Sequence, residues 1–112
     1  MLSSKYRFHS RGGVKYTYQK GKTIRTPKVS LVFAQNKRMR QRYAVVVSKK
    51  VLKTAVGRNQ IRRRVYEAIR LEFNPNLKLD CIFVIYSKDF TKMDFDQIRA
   101  MVSDLLEKAK TE

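Results

Sequence analysis

The chain has 112 residues, 43% of them hydrophobic, which suits one small globular domain and argues against a disordered basic tail. Its formal net charge of +17 is unevenly placed: residues 1–70 hold 20 Lys and Arg against the single acid Glu67, whereas residues 71–112 hold 6 against 8. A merely solubilising surface would intersperse both signs, and no apolar stretch approaches the ~20 residues of a membrane span, so the charge points to a polyanionic partner, a nucleic acid.

In chain order, Tyr6 to His9 alternates loosely and Gly12-Gly13 interrupts the chain. Val14 to Lys20 is expected to form a short helix that shares Val14, Thr17 and Tyr18 on one face. It stops at Gly21, where glycine can take the left-handed conformation. After Pro27, Lys28 to Gln35 (KVSLVFAQ) and Tyr43 to Ser48 (YAVVVS) are apolar and β-branched, as strands are. The polar, basic link from Asn36 to Gln41 suggests that these two strands form an antiparallel hairpin.

From about Val56 to Phe73 the spacing turns helical. Ile61, Val65, Ala68 and Ile69 fall within one arc, while Asn59, Arg63, Tyr66 and Arg70 cluster opposite. Asn74-Pro75-Asn76 ends this helix, because the residue before proline avoids the helical region. Leu79 to Tyr86 is a nearly continuous apolar run, as expected of a strand buried on both faces, and the crossover helix before it implies a parallel partner. Asp94 with Gln97 makes a capping box for a final helix whose apolar stripe runs from Phe95 to Ala109. There is room for one further short strand near residues 5–9 or 48–52. The fold class is therefore α+β, a two-layer sandwich with a small mixed sheet in αββ(β)αβα order, forming a single RNA-binding domain over residues 1–112 with helices covering one sheet face.

Catalysis by the chain's own side chains needs a base, a nucleophile or metal ligands within reach of one another. The sole histidine, His9, lies in a basic segment and reads as a surface or stacking residue. Asp89, Asp94 and Asp96 flank a helix start, where carboxylates cap amides and meet the positive end of the helix dipole. Neither Ser48 nor Cys81 has a histidine nearby in sequence. The lone Cys81, inside an apolar run, reads as a small buried hydrophobe in a reducing, cytoplasmic setting, and the opening MLSSKYRF lacks the apolar core of a signal peptide.

What remains is binding. Lys49, Lys50, Lys53, Arg58, Arg62, Arg63 and Arg64 offer point charges and forked donors for phosphates, and the helix N-terminus near Val56-Gly57 adds unpaired amides. Phe8, Tyr16, Tyr18, Phe33 and Tyr86 are candidate stacking surfaces for bases, with Tyr18 and Tyr86 favoured because a hydroxyl suits a half-exposed position. A ribosomal or general RNA-binding protein would share this charge, and a metal-dependent nuclease would have to rely on Asp89, Asp94 or Asp96.

At Val47-Ser48-Lys49-Lys50 followed by Ala55-Val56-Gly57-Arg58-Asn59-Gln60-Ile61-Arg62-Arg63, the chain closely resembles the bacterial ribonuclease P protein subunit. That family's signature is an Arg-Asn-Arg-x-x-Arg-like element opening a helix after a strand that ends Ser-Lys-Lys. The likeness extends through Tyr6-Arg7-Phe8, the Tyr18-Gln19-Lys20-Gly21 turn, the strand containing Asp80 and the closing helix. It departs at Gln60, which stands in place of the middle arginine, at the glycine-free Val51-Leu52-Lys53-Thr54, at Val14 where an aromatic is usual, and at Tyr86-Ser87-Lys88 where a basic residue is usual.

The resemblance implies a partner protein for a catalytic RNA, which with its bound magnesium ions removes the 5′ leader of precursor tRNA. Neither DNA nor a membrane is implied. Carried over, the contacts to the catalytic RNA fall on Lys49, Lys50, Lys53, Arg58, Asn59, Arg62, Arg63, Arg64 and Arg70. The leader cleft falls on Val14, Tyr18, Val32, Phe33, Tyr86 and Lys88. The family's β-α-β crossover is left-handed, against the general right-handed rule.

Overall fold

Two apolar patterns organise the chain: β-branched runs with a two-residue period and longer runs with a 3.6-residue period. In the computed structural model, which describes residues 11–35, 41–72 and 79–111, they become α1 (Arg11–Lys20), β1 (Lys22–Arg25), β2 (Val29–Gln35), β3 (Arg42–Val47), α2 (Ala55–Glu72), β4 (Leu79–Ile85) and α3 (Phe95–Thr111), with a 3₁₀ turn over Lys88–Thr91. The expected strand at Tyr6 to His9, the 36–40 link and the Asn74-Pro75-Asn76 stop lie outside the described residues.

The sheet order is β1-β2-β4-β3. β4 takes the centre because its run Leu79–Ile85 is apolar on both sides, and only a central strand buries both. It pairs antiparallel with β2 (Val29↔Ile85 to Gln35↔Leu79) and parallel with β3 (Arg42↔Asp80 to Val47↔Ile85). The parallel partner expected from the crossover helix is therefore β3. The expected hairpin between β2 and β3 is not formed, since β4 inserts between them. The hairpin is instead β1–β2, closed by Thr26, whose hydroxyl donates to the Val29 carbonyl while its backbone N–H reaches the same oxygen at 3.1 Å. Residues 48–52 form a turn, and the additional strand is β1.

Val45 has its side chain in the core beneath α2, and its N–H leaves the outer edge of β3 to reach the Tyr66 hydroxyl at 3.3 Å. For an L-residue this combination places β4 to the left of β3 when the sheet is viewed from α2 with both strands pointing up. The β3-α2-β4 crossover is therefore left-handed. The same bond satisfies an edge-strand donor that would otherwise be open to pairing. Tyr66 is thus a half-buried edge cover rather than a member of the outward arc with Asn59, Arg63 and Arg70.

The main core fills one sheet face. Leu31, Phe33, Tyr43, Val45, Cys81 and Phe83 meet Ile61, Val65, Ala68 and Ile69 of α2 and Ile98, Val102 and Leu105 of α3. The four buried α2 residues are those of the predicted arc; the three larger ones contribute about 1.5–3 kcal/mol each, an upper estimate. The opposite face carries α1 and a smaller cluster of Val32, Ala44 and Ile82. Burial holds the Cys81 thiol and the Tyr43 hydroxyl far above their ordinary pKa values, so both stay neutral.

α1 begins at Arg11, earlier than expected, and its backbone continues through Gly12-Gly13. Gly21 follows it, but no described glycine has positive φ. The requirement is steric instead: a Cβ at Gly21 would lie 2.5 Å from the carbonyl oxygens of Phe33 and Thr17. Glycine is needed because the helix end rests directly on β2.

Candidate nucleic-acid interface

The sheet topology gathers residues that are far apart in sequence. β3 and β4 are parallel and end opposite each other at Val47↔Ile85, so the Ser48–Thr54 loop and the Tyr86–Lys88 segment leave the same end of the sheet. The β1–β2 turn joins them there, with the Tyr86 N–H donating to the Lys28 carbonyl at 2.9 Å.

The loop is pinned to the N-terminus of α2. Thr54 caps the helix: its hydroxyl accepts from the Gly57 N–H at 3.2 Å and its carbonyl from the Arg58 N–H at 3.1 Å. The Gly57 amide is therefore already paired, contrary to the expectation of free amides at Val56-Gly57. Arg58 donates from Nη1 to the carbonyls of Leu52 and Lys53 at 2.9 and 2.8 Å. Its other guanidinium donors remain for a phosphate. With Val51 and Leu52 packed on the core, the glycine-free loop is a shaped support that presents Lys49, Lys50 and Lys53 as exposed cations.

The arginines of α2 divide by role. Arg63 is exposed and has no ion pair to another described residue. Arg62 donates to Asn59 Oδ1, which fixes the two side chains relative to one another on the outer face. Arg70 pairs with Glu67 three residues earlier, and that bond holds the Glu67 carboxyl down to about 2. Arg64 turns away from solvent. Its Nη1 donates to the Phe90 carbonyl at 2.6 Å and its Nη2 to the Met93 carbonyl, binding the 3₁₀ turn to α2. Arg64 therefore clamps the 3₁₀ turn to α2 with two of its five guanidinium N–H donors.

On the α1 face, Tyr18 and Tyr86 stand close enough to interact, each roughly half exposed. The Tyr18 hydroxyl is raised above its ordinary pKa, first by partial burial and then by Tyr86. Lys88, two residues after Tyr86, is exposed at the start of the 3₁₀ turn. Val32 lies on this face in the small apolar cluster. Phe33, the next residue, points the other way into the main core with 4% of its surface exposed, so it has no face to offer a base and its leader assignment is corrected. Val14 lies on α1, and its side chain is not among those described.

Arg25 was missed because β1 was missed. It is exposed on this same face, opposite Ser30. The signal in the sequence is Thr23-Ile24, a β-branched pair between Gly21 and the Pro27 turn. Asp94 begins α3 through its carbonyl, which accepts from the Gln97 N–H at 3.0 Å, and Asp89 pairs with Lys28 at 3.5 Å. Among the described residues no three histidine, cysteine or acidic side chains converge on a metal site, and no helix is long and apolar enough to cross a membrane.

A mixed sheet with a left-handed crossover, a basic helix and loop at one sheet end, and two half-exposed tyrosines on the opposite face define a small, strongly basic α+β protein. The family model described as Ribonuclease P matches residues 2–110. The ribonuclease P protein component of Roseiflexus castenholzii is 37% identical over 91 residues, covering 80% of this chain and 73% of that protein. The solved ribonuclease P protein of Staphylococcus aureus is similar with a TM-score of 0.78 at 26% identity, covering 94% of this chain and 95% of that one. A mutant of the S. aureus protein with defective mRNA degradation activity gives 0.81 at 26% identity, covering 95% and 89%. The chain belongs to the ribonuclease P protein family and has a subunit role in that tRNA-processing ribonucleoprotein.

Proposed function

We propose that this chain binds the catalytic RNA of ribonuclease P through its basic loop and α2, and the 5′ leader of precursor tRNA through the Tyr18–Tyr86 cleft, while the RNA carries out cleavage. The observation that carries this reading is the set of exposed cations Lys49, Lys50, Lys53 and Arg63, gathered by the loop and helix at the sheet end where Tyr86 and Lys88 also emerge. Counterion release from such a set makes binding tight and steeply salt-dependent. The half-exposed tyrosines suit unstacked single-stranded bases.

Among the described residues lysines and arginines dominate this end of the sheet, a lining that suits phosphates rather than cations. In this reading magnesium belongs to the RNA. The setting is cytoplasmic, where tRNA precursors and a free buried thiol are both at home.

The test compares cleavage of precursor tRNA by RNA alone, protein alone and both, over a magnesium series. Protein alone should leave the precursor intact, and adding protein to the RNA should lower the magnesium requirement or the KM. Absence of any gain on adding protein would refute the reading. Cleavage by protein alone would favour a protein-borne nuclease, and preferential binding to ribosomal RNA a general RNA-binding protein.

A further inference from the structure

On the face that carries α1, one row of residues crosses the whole sheet: Arg25 of β1, Ser30 of β2, Val84 of β4 and Val46 of β3, each in register with the next. Its two ends differ in chemistry. Val46, two residues before Ser48, is exposed beside the basic loop, and Val84 is half-buried, so this end is an open apolar floor. Arg25 forms the other end at the outer edge of the sheet, exposed and without an ion pair to any described residue. No acidic residue occurs in α1, β1 or β2, and the acids of α3, the other helix that meets β1, belong to an element packed on the main-core face rather than on the face of Arg25.

Between the two ends lies Ser30. It is 1% exposed, yet its Oγ has no hydrogen-bond partner. An unpaired buried hydroxyl is costly and uncommon, and this one sits beside the single unneutralised cation of the row.

We propose that this row extends the leader track across the sheet. RNA leaving the catalytic-RNA surface near Lys49 and Lys50 passes Tyr86 and Tyr18, crosses the Val46–Val84 floor and sets a backbone phosphate on Arg25 at the β1 edge. The inference rests on the leader reading given above and deepens it: Arg25, outside the basic helix, serves leader nucleotides farther from the cleavage site than those at Tyr18 and Tyr86. The direction follows from topology, because β1 lies three strand spacings, ~14 Å, from β3 and the loop that follows it. The apolar floor suits the faces of bases and riboses, and the guanidinium suits a phosphate in a way a lysine would match only as a point charge.

The test measures Kd of the reconstituted RNA–protein holoenzyme for precursor tRNAs whose leaders lengthen one nucleotide at a time, with wild type, Arg25→Gln and Tyr18→Ala. Wild type should gain affinity in two stages. Arg25→Gln should keep the first stage and lose the second, a loss of about five- to tenfold for a charge-assisted contact. The slope of log Kd against log salt for the long leader should fall by about 0.7. Tyr18→Ala should remove the first stage, and Arg25→Lys should retain most of the second. Loss by Arg25→Gln that is equal for short and long leaders, or a second stage that survives the substitution, would overturn the proposal. A wild-type protein with no leader-length gain at all would instead overturn the leader reading beneath it. Arg25 is exposed, so a circular dichroism melt of Arg25→Gln should coincide with wild type.

Discussion

Arg63 and Arg64 are adjacent in sequence and carry the same charge, yet they meet different surroundings, and single substitutions separate the consequences. Arg64 places two guanidinium nitrogens on the Phe90 and Met93 carbonyls, which cap the end of the 3₁₀ turn. Hydrogen bonds from a charged donor contribute about 1.5–3 kcal/mol each. Taking the low end for both, because Arg64 is part-exposed, Arg64→Ala should destabilise the fold by about 3 kcal/mol. For a domain of this size that lowers Tm by roughly 10 °C. Arg63 touches no described partner, so Arg63→Ala should move stability by less than about 0.5 kcal/mol. It should reduce the salt slope of catalytic-RNA binding by about 0.9 for each duplex phosphate released. Thermal melts followed by circular dichroism and filter-binding titrations at several salt concentrations measure both quantities. The reasoning is refuted if Arg64→Ala melts with wild type while lowering the salt slope as Arg63→Ala does.

Three further substitutions probe the frame. Gly21→Ala puts a Cβ 2.5 Å from two backbone carbonyl oxygens, neither of which moves cheaply, and should cost about 2–3 kcal/mol in urea denaturation. Asp80 and Arg42 form a two-bond ion pair with only 7% and 16% of their side chains exposed, so Asp80→Ala should cost about 3 kcal/mol by stranding the arginine, while Arg42→Met with Asp80→Leu should recover most of the loss. In an NMR titration, Glu67 should titrate near 2 in wild type and return towards 4.5 in Arg70→Gln, since the Arg70 hydrogen bond is the first cause of the depression. A depressed carboxyl stabilises the fold above its unfolded pKa and loses that contribution as pH falls. The pair's contribution should therefore be complete above about pH 4.5 and vanish towards pH 2, and an unchanged Glu67 titration in the variant would refute the pairing.

Much of this architecture was readable before any coordinates because local pattern and tertiary environment agree. The α2 arc of Ile61, Val65, Ala68 and Ile69 is its buried stripe, and the continuous apolar run of β4 led to a central strand with a parallel partner. What failed depended on pairing. β1 has one apolar residue, Ile24, and is a strand only because β2 supplies its partner, so periodicity could not reveal it. The β2–β3 hairpin was a reasonable inference from proximity in sequence, but β4 buries more apolar surface by inserting between the two strands than they would by pairing. Val32 and Phe33 were indistinguishable as cleft candidates, and the register decides between them, because neighbouring residues on a strand face opposite ways.

The basic residues were the hardest part to read, and the reason is physical. A sequence shows that an arginine lies away from the apolar stripe, but a guanidinium on a long stem reaches well beyond its own turn. Whether it meets a carbonyl, a carboxylate or open solvent depends on what the fold brings to it from before or after it in the chain. Arg64 finds the turn at residues 88–91, Arg58 finds the loop before its own helix, and Arg70 finds Glu67, while Arg63 finds no described partner. A phosphate-binding surface is therefore better counted by cations left without an internal partner than by total charge. By that measure the proposed surface centres on Lys49, Lys50, Lys53 and Arg63, and the proposed leader track adds Arg25, which a strand of four residues brings to the α1 face.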